Sequence, residues 1–241
     1  MDPLLKPCLP FAGEARSTFG QGLLPAIVRL ADYYEQAGQP LQEPFRLSPD
    51  LPDDNPVAKM FAAYMTMRTH PETAEEKLPN PGFEDKAGGT TPQGPEWTSE
   101  GCPQGWGSWI RGGTKAELRW VASPVHGGQR AVMLKGAEGA ACYLMDVRGE
   151  PGAVYLCTVY ARCRVSRPER VHLTIKWRDP KGAWFSGAPN QSISLPQAEL
   201  KEWTPLSLMF TMPKGAGSAV IMLGGEDMKP DDVVWFDDCS A

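Results

Sequence analysis

Long apolar runs are absent from this chain of 241 residues. No stretch approaches the length of about 20 apolar residues that a membrane-spanning helix needs, so the sequence predicts no membrane span. The amino terminus lacks a basic segment followed by an apolar one, and no secretory leader is visible. We therefore expect a cytoplasmic protein or, if the native leader is missing, an extracellular or periplasmic one.

A basic excess is also lacking. The chain has 24 Lys and Arg against 29 Asp and Glu, a net charge of -5, which argues against a nucleic-acid partner. The six cysteines include no C-x-x-C spacing, which argues against a zinc site. Cys157 and Cys163 lie too far apart on one predicted strand to bond to each other. We expect most cysteines to be small buried apolar residues, and other disulfide pairings stay open.

Catalytic motifs are missing as well. Neither Gly-x-Ser-x-Gly nor His-Glu-x-x-His occurs, and the three histidines lie in unrelated contexts. A glycosidase needs two carboxylates that converge across a cleft, whereas the carboxylates here cluster in turns. The sequence predicts no catalytic residue and no enzyme, and an unrecognised active site is the weaker alternative.

Turn-forming residues are plentiful, with 25 Gly and 24 Pro. Helical spacing is confined to the first part of the chain, over Gly22 to Ala37 and again after the capping residue Asn55 and Pro56. Two helices of this length bury little surface alone, so they must pack on the following domain or on a neighbour. We predict residues 1–77 to be a helical segment, either an adaptor or the tail of an upstream domain.

From Leu78 onward the apolar pattern has a period of two. Val171, Leu173, Ile175 and Trp177 alternate with His172, Thr174, Lys176 and Arg178, and similar runs surround Cys157 and Leu208. Strands without intervening helices favour an antiparallel sandwich. The sequence therefore predicts a mainly β domain over residues 78–241.

Ordered motifs in this β-segment carry a family resemblance. The segment opens with Leu78-Pro-Asn-Pro-Gly-Phe-Glu84, has Ser123-Pro-Val-His-Gly-Gly-Gln-Arg-Ala-Val132 in its middle, and closes with Val234-Trp-Phe-Asp-Asp-Cys239. Two further matches are Glu150-Pro-Gly-Ala-Val-Tyr155 and the run from Trp203 to Pro213. Together they resemble the galactose-binding-like jelly rolls of carbohydrate-binding module families 4, 9 and 22. The resemblance implies an antiparallel jelly-roll β-sandwich over Leu78 to Ala241.

Carboxylates lie near both ends of the β-segment, and a jelly roll can bring its first and last strands together. Because Ca²⁺ prefers carboxylate and carbonyl oxygens, they could share a cation. The resemblance implies a structural Ca²⁺ held by Gly82, Glu84, a carbonyl near Gln129, and Asp237 or Asp238. Alternation lets only one aspartate face the site, and we favour Asp238 because Asp237 shares the parity of Trp235. Alternatively, Glu84 caps a turn and the aspartates form a solvated strand end.

A polar surface is expected on the outer side of the sheet. If the apolar residues of the Val171 run face the core, Lys176 and Arg178 face outward. The preceding strand would add Tyr160 and Arg162 to the same surface, because sequential strands usually pair. Sugars are bound by aromatic stacking and by planar polar groups. The predicted ligand-binding residues are Tyr160, Arg162, Lys176 and Arg178, with loop walls from Trp106, Trp109 and Trp184. The alternative is a solvated face whose basic residues pair with acids elsewhere.

The leading hypothesis is non-catalytic binding of a polysaccharide or oligosaccharide by a module of a larger glycan-processing protein, whose catalytic domain could lie upstream. The excess of Arg and Lys on the predicted surface hints at an acidic or highly hydroxylated glycan. A structural or adhesion sandwich that contacts a protein and no sugar is the alternative.

Overall fold

The computed structural model describes residues 24–36, 43–46, 52, 55–86, 103–113 and 115–241. Within these residues, two α-helices precede the β-domain: α1 (Leu24–Gln36) and α2 (Pro56–Thr69). The predicted cap of α2 is present, since the Asn55 side-chain oxygen accepts hydrogen bonds from the N–H groups of Val57 (2.9 Å) and Ala58 (3.3 Å). Among the described helices, none has the length and apolar character to cross a membrane.

Ten strands follow the helices. They are β1 (Gly107–Ile110), β2 (Glu117–Val121), β3 (Ala131–Lys135), β4 (Ala140–Arg148), β5 (Val154–Arg164), β6 (Val171–Arg178), β7 (Gln191–Ser194), β8 (Glu199–Thr211), β9 (Ser218–Glu226) and β10 (Val233–Ser240). They form two five-stranded antiparallel sheets with the orders β1-β4-β9-β6-β7 and β2-β3-β10-β5-β8. This sandwich confirms the predicted fold class of a mainly β domain preceded by a short helical segment.

The core lies between the two sheets and follows the predicted alternation. On β6, Val171, Leu173 and Ile175 are fully buried and Trp177 nearly so. The four cysteines of the described β-domain, Cys142, Cys157, Cys163 and Cys239, are free and buried, as expected for small apolar residues. Burial raises the pKa of the Cys142 thiol to about 12, which keeps it neutral at physiological pH. Cys8 and Cys102 lie outside the described residues.

The helices pack on the outer side of the β2-β3-β10-β5-β8 sheet. Met209 of β8 belongs to the cluster formed by both helices, and Leu156 of β5 packs against it. By alternation Met209 points away from the sandwich core, yet it is fully buried because the helices cover it. Arg68 of α2 joins the helices through contacts with Asp32 (2.8 Å) and Glu35 (2.7 Å) of α1. The sequence predicted that the helices pack either on the following domain or on a neighbour. In the structure they pack on the following domain.

One predicted strand pairing is wrong. β5 lies between β10 and β8, whereas β6 lies between β9 and β7 in the opposite sheet. The short connection between them crosses from one layer to the other, and its Ser166 donates two hydrogen bonds of 2.8 Å to the Asp232 carboxylate. Sequential strands usually pair, but a sandwich also needs connections that change sheets. Tyr160 and Arg162 therefore lie on one outer surface, and Lys176 and Arg178 on the other.

Candidate functional site

The outward side of the β1-β4-β9-β6-β7 sheet forms a surface that we call the tryptophan face. Strand register arranges its residues in four rows across the sheet. The first row holds Trp109, Cys142, Gly224, His172 and Ser194, and the second Gly107, Leu144, Met222, Thr174 and Ser192. The third row holds Asp146, Val220 and Lys176, and the fourth Arg148, Ser218 and Arg178. Val220, in the third row, is fully buried although it points away from the sandwich core.

Two exposed tryptophans lie at opposite ends of the tryptophan face. Trp109 of β1 is 44% exposed and stands in the first row. Trp184, in the loop after β6, is 57% exposed and pairs with Arg178 of the fourth row through an isolated bridge. Six residues separate the first from the fourth row on each strand, or about 20 Å along the strand direction. A ligand that contacts both rings must therefore be extended.

Arg178 holds Trp184 in place. Its guanidinium carbon lies 4.4 Å from the centre of the Trp184 ring, within cation–π distance. Its Nη1 donates a hydrogen bond of 2.9 Å to the Gly182 carbonyl, and its Nε lies 3.0 Å from Asp146 Oδ1 as an ion pair. That last contact lacks hydrogen-bond geometry, since Nε has no hydrogen-bond partner. Arg178 thus ties the loop to strand β4 and supports one face of the indole.

Hydroxyl groups and an imidazole line the other end. His172 Nδ1 lies 3.0 Å from Thr174 Oγ1, which in turn lies 2.8 Å from Ser192 Oγ. Burial lowers the pKa of His172, and the neighbouring Lys176 charge lowers it further against the opposing effect of Glu226. The imidazole is therefore neutral at pH 7 and can either donate or accept a hydrogen bond. This arrangement offers polar partners at the same end of the face as Trp109, three strands away from it.

Two of the predicted ligand-binding residues lie on the other side of the sandwich. Tyr160 stacks on His126 with ring centres 3.9 Å apart, and Arg162 is on the same outward side of β5. A third, Trp106, is only 2% exposed and donates from its indole nitrogen to the Asn80 carbonyl at 3.2 Å. Its ring packs in the core against Phe83, so it cannot stack on a ligand at the surface. The structure brings together Lys176, Arg178 and Trp184, and it places Trp109 at the opposite end of the same face.

The predicted calcium residues meet at one edge of the sandwich. The Glu84 carboxylate accepts hydrogen bonds from the N–H groups of Gln129 (2.9 Å) and Arg130 (3.0 Å). A methyl group at Gly128 would stand 2.2 Å from Glu84 Oε1, and one at Gly127 would stand 2.6 Å from Asp238 Oδ2. Glycines at these two positions therefore let both carboxylates approach the same turn. We call Gly82, Glu84, Gln129, Asp237 and Asp238 the carboxylate edge.

Both aspartates of the carboxylate edge reach this turn, although alternation had predicted only one. Asp237 accepts hydrogen bonds from the N–H groups of His126 (2.6 Å) and Gly127 (3.3 Å), and Asp238 Oδ2 lies 2.6 Å from His126 Nδ1. A register shift follows Asp237, and Asp238 has a φ of 44°, which interrupts the alternation. Asp237 is fully buried, and burial raises its pKa to about 6 despite these hydrogen bonds.

The carboxylate edge contains the oxygen types that a hard cation prefers. Within the described residues, no three His, Cys, Asp or Glu side chains converge as metal ligands. Two carboxylates do converge, since a methyl group at Gly82 would stand 3.4 Å from both Asp238 Oδ1 and Glu84 Cγ. Ca²⁺ accepts carbonyl oxygens as well as carboxylates, so Gly82 and the turn before Arg130 could supply the other ligands.

Three residues of these surfaces were not predicted. Asp146 and Arg148 of the tryptophan face point outward on β4 by the same alternation that was applied to β6. That alternation was visible, but the order β4-β9-β6 that places them beside Arg178 is not encoded in local sequence. His126 was assigned no role, and its contacts with Asp238 and Tyr160 depend on strands far away in the chain.

Solved structures similar to this chain include several carbohydrate-binding modules, the class that the sequence motifs resemble. The CBM22-1 xylan-binding domain from Paenibacillus barcinonensis is 16% identical, with 69% of this chain and 92% of that domain covered and a TM-score of 0.40. A CBM61 module in complex with β-1,4-galactotriose is 16% identical, with 69% and 97% covered and a TM-score of 0.44.

A further similarity is to the enzymatically active domain of bacteriophage CBA120 tailspike protein 4. It is 14% identical, with a TM-score of 0.43, and the match covers 57% of this chain but only 19% of that one. No protein-family model and no curated protein matches the chain.

Proposed function

We propose that this protein binds an extended glycan chain on the tryptophan face without cleaving it. The observation that carries the proposal is the position of Trp109 and Trp184. They are the most exposed large apolar side chains in the described part of the chain, and both lie on the sheet that the helices leave uncovered. Exposed indole rings are costly in water unless they serve a contact, and they stack well against the C–H faces of sugars.

The polar groups on strands β6 and β7 of the tryptophan face suit a hydroxylated ligand. His172, Thr174 and Ser192 provide a chain of groups that can donate or accept hydrogen bonds. Lys176 adds an amino group in the third row. Hydrogen bonds of this kind fix the orientation of a ligand whose apolar contacts come from aromatic rings.

The carboxylates of the tryptophan face do not form a hydrolytic pair. Glycosidases hold two carboxyl groups within about 10 Å of each other. Asp146 lies opposite Val220 on β9, and Glu226 follows Val220 by six residues, which corresponds to about 20 Å. Each also contacts an arginine, Arg178 for Asp146 and Arg170 for Glu226. These positions favour binding over hydrolysis, and we place the protein as a targeting module of a larger glycan-processing protein.

A Ca²⁺ ion at the carboxylate edge is a second part of the proposal. Glu84 and Asp238 would supply carboxylate oxygens, with Gly82 and the turn around Gln129 supplying carbonyls. The ion would offset the repulsion between carboxylates and hold the first and last parts of the β-domain together. Its role would be structural, since Tyr160 and the carboxylate edge lie away from the tryptophan face.

Affinity electrophoresis through gels containing neutral or acidic polysaccharides tests the proposal directly. We expect retardation of the native protein in at least one gel, and a loss of affinity of at least about tenfold for Trp109→Ala and Trp184→Ala. Tyr33→Ala is the matched control, because Tyr33 is an exposed aromatic (36%) on α1. Absence of retardation in every gel, or equal effects of all three changes, would contradict glycan binding on this face. Capture of a protein partner alone would support the adhesion alternative.

A further inference from the structure

The tryptophan face carries unbalanced positive charge near Trp184. Its two carboxylates already have cationic partners: Asp146 pairs with Arg178 at 3.0 Å, and Glu226 pairs with Arg170 at 3.0 Å. Lys176 and Arg148, in the third and fourth rows, have no Asp or Glu oxygen within ion-pair distance among the residues that the structure describes. Two uncompensated cations therefore stand on one surface of a chain whose net charge is -5.

Lys176 lies close to the Trp184 ring, and Arg148 lies two strands away from Arg178, at the edge of the face that borders the cavity beside Glu75 and Glu150. The Lys176 amino group is 6.0 Å from the centre of the Trp184 ring. Arg148 is exposed in the same row as Arg178, with Ser218 between them in the strand register. The carboxylate of Asp179, at the end of β6, accepts hydrogen bonds from Lys181 N and Ala183 N in its own loop (2.8 and 2.9 Å). It shapes the loop and makes no ion pair with Lys176.

The opposite end of the face has no unpaired cation among the described residues of its first two rows. Arg170 there contacts Glu226 and Asp227. Trp109 pairs with Cys142 in the first row, and His172, three strands from Trp109 in that row, is uncharged at pH 7 because burial lowers its pKa. The face is thus divided into a hydroxyl-lined end whose rows hold no unpaired charge and an end with excess positive charge, each with one exposed indole. A neutral polysaccharide would leave the two cations without a partner, whereas an anionic one would match them.

We infer that the ligand is a polysaccharide that carries uronate carboxylates, with an acidic unit bound between Trp184, Lys176 and Arg148. This inference rests on the proposed glycan binding and names its ligand class. The acidic sugar stacks on the exposed side of Trp184, whose other side is occupied by Arg178. Its carboxylate accepts charge-assisted hydrogen bonds from the two cations, which are stronger than bonds between neutral groups.

Chemical removal of the ligand charge tests the inference on the full chain. Polygalacturonate, alginate and glucuronoxylan are compared with their carboxyl-reduced forms, in which each carboxylate has become a primary alcohol. We expect reduction of the bound polymer to weaken binding at least about fivefold, and we expect salt to weaken binding only to the unreduced form. Lys176→Gln and Arg148→Gln should each reduce the difference in affinity between the polymer and its carboxyl-reduced form. Lys201→Gln on β8 of the other sheet is the control and should leave this difference in affinity unchanged.

The outcomes separate this inference from the proposed function. Equal affinity for a polymer and its reduced form would overturn the uronate inference and leave glycan binding intact. Tighter binding to a sulfated glycan of equal charge density would overturn the inference that the anionic groups of the ligand are carboxylates. Failure to bind any polymer, charged or reduced, would overturn both proposals. An effect of Lys201→Gln equal to that of Lys176→Gln would show that only the overall charge matters, and it would also overturn the inference.

Discussion

The guanidinium of Arg178 stacks on the Trp184 ring at 4.4 Å and, from its Nε, contacts Asp146 on strand β4. Arg178 was predicted to contact ligand directly from a solvated face. The structure shows a side chain that is only 27% exposed and is engaged on three sides, by a ring, a carbonyl and a carboxylate. Its effect on a ligand therefore includes the positioning of Trp184.

Arg178→Ala should lower glycan affinity about as much as Trp184→Ala does. Removal of the guanidinium releases one side of the indole and one anchor of its loop. Because both changes remove the same platform, the double variant should bind only slightly more weakly than either single variant, within about 0.5 kcal/mol. The four affinities of this double-mutant cycle are measured by isothermal titration calorimetry, with the polysaccharide that retards the native protein in affinity gels. Fully additive losses would mean that Arg178 and Trp184 act independently. We expect Arg178→Ala to cost about 1 kcal/mol of unfolding free energy, measured by urea denaturation.

Chelation should lower the melting temperature of protein that has been loaded with Ca²⁺. A ligand that binds only the native state stabilises it by mass action, so its removal destabilises the fold. Glu84→Gln and Asp238→Asn should each reduce the shift, whereas Glu138→Gln, an exposed carboxylate elsewhere, should not. Differential scanning fluorimetry with and without chelator gives the shift. Identical melting curves under both conditions would rule out the structural calcium, and the hydrogen bonds from Gln129 and Arg130 would then be what holds Glu84.

Deletion of residues 1–73 should leave a sandwich that unfolds cooperatively but exposes an apolar patch. Leu78 belongs to the sandwich core, and the Lys77 N–H donates to the Ala241 carbonyl at 2.8 Å, so the shortened chain keeps both of these features. Met209 and Leu156 lose the helices that cover them. We expect increased binding of an apolar dye, partly reversed by Met209→Ser. Loss of cooperative unfolding would show that the helices complete the domain, and that the boundary predicted near residue 78 is misplaced.

The stabilising effect of a neutral His172 should decline in acid. Burial lowers the native-state pKa of His172 below the ordinary value of 6.5, so near and below that pH the unfolded chain takes up a proton more readily than the native one. The stability that His172 contributes is complete above about pH 6.5 and is lost as the pH falls through its native pKa. Native protein should therefore lose more stability than His172→Gln between pH 8 and pH 5, as measured by urea denaturation.

His70 offers a control of opposite sign for that measurement. Its pKa is raised, mainly by its bond to Glu43 at 2.5 Å, so its contribution is present in acid and is lost as the pH rises. His70→Gln should therefore increase the loss of stability between pH 8 and pH 5. His172→Gln should decrease that loss. Parallel curves for the native protein and His172→Gln would contradict the burial of a neutral imidazole.

Local sequence was sufficient for the parts of this protein that depend on backbone periodicity and on local hydrogen bonds. The core side of β6, the Asn55 cap of α2 and the burial of the described cysteines all follow from residue type and spacing, whereas their free state was left open. The meeting of Glu84 with Asp238 was also expected, but from the family resemblance. These features were accessible because alternation along a strand and capping at a helix end are set by residues a few positions apart.

Tertiary structure alone decided which strands are neighbours, and with it the composition of each surface. Tyr160 and Lys176 lie on opposite sides of the sandwich because the chain changes sheets between β5 and β6. Trp106 is in the core and Trp109 is at the surface, and Met209 is buried on an outer face by helices from the other end of the chain. Asp237 and Asp238 reach one turn because a local shift breaks the alternation. Each of these outcomes depends on contacts between residues that are distant in sequence. The free energies of such contacts cannot be read from a local sequence pattern.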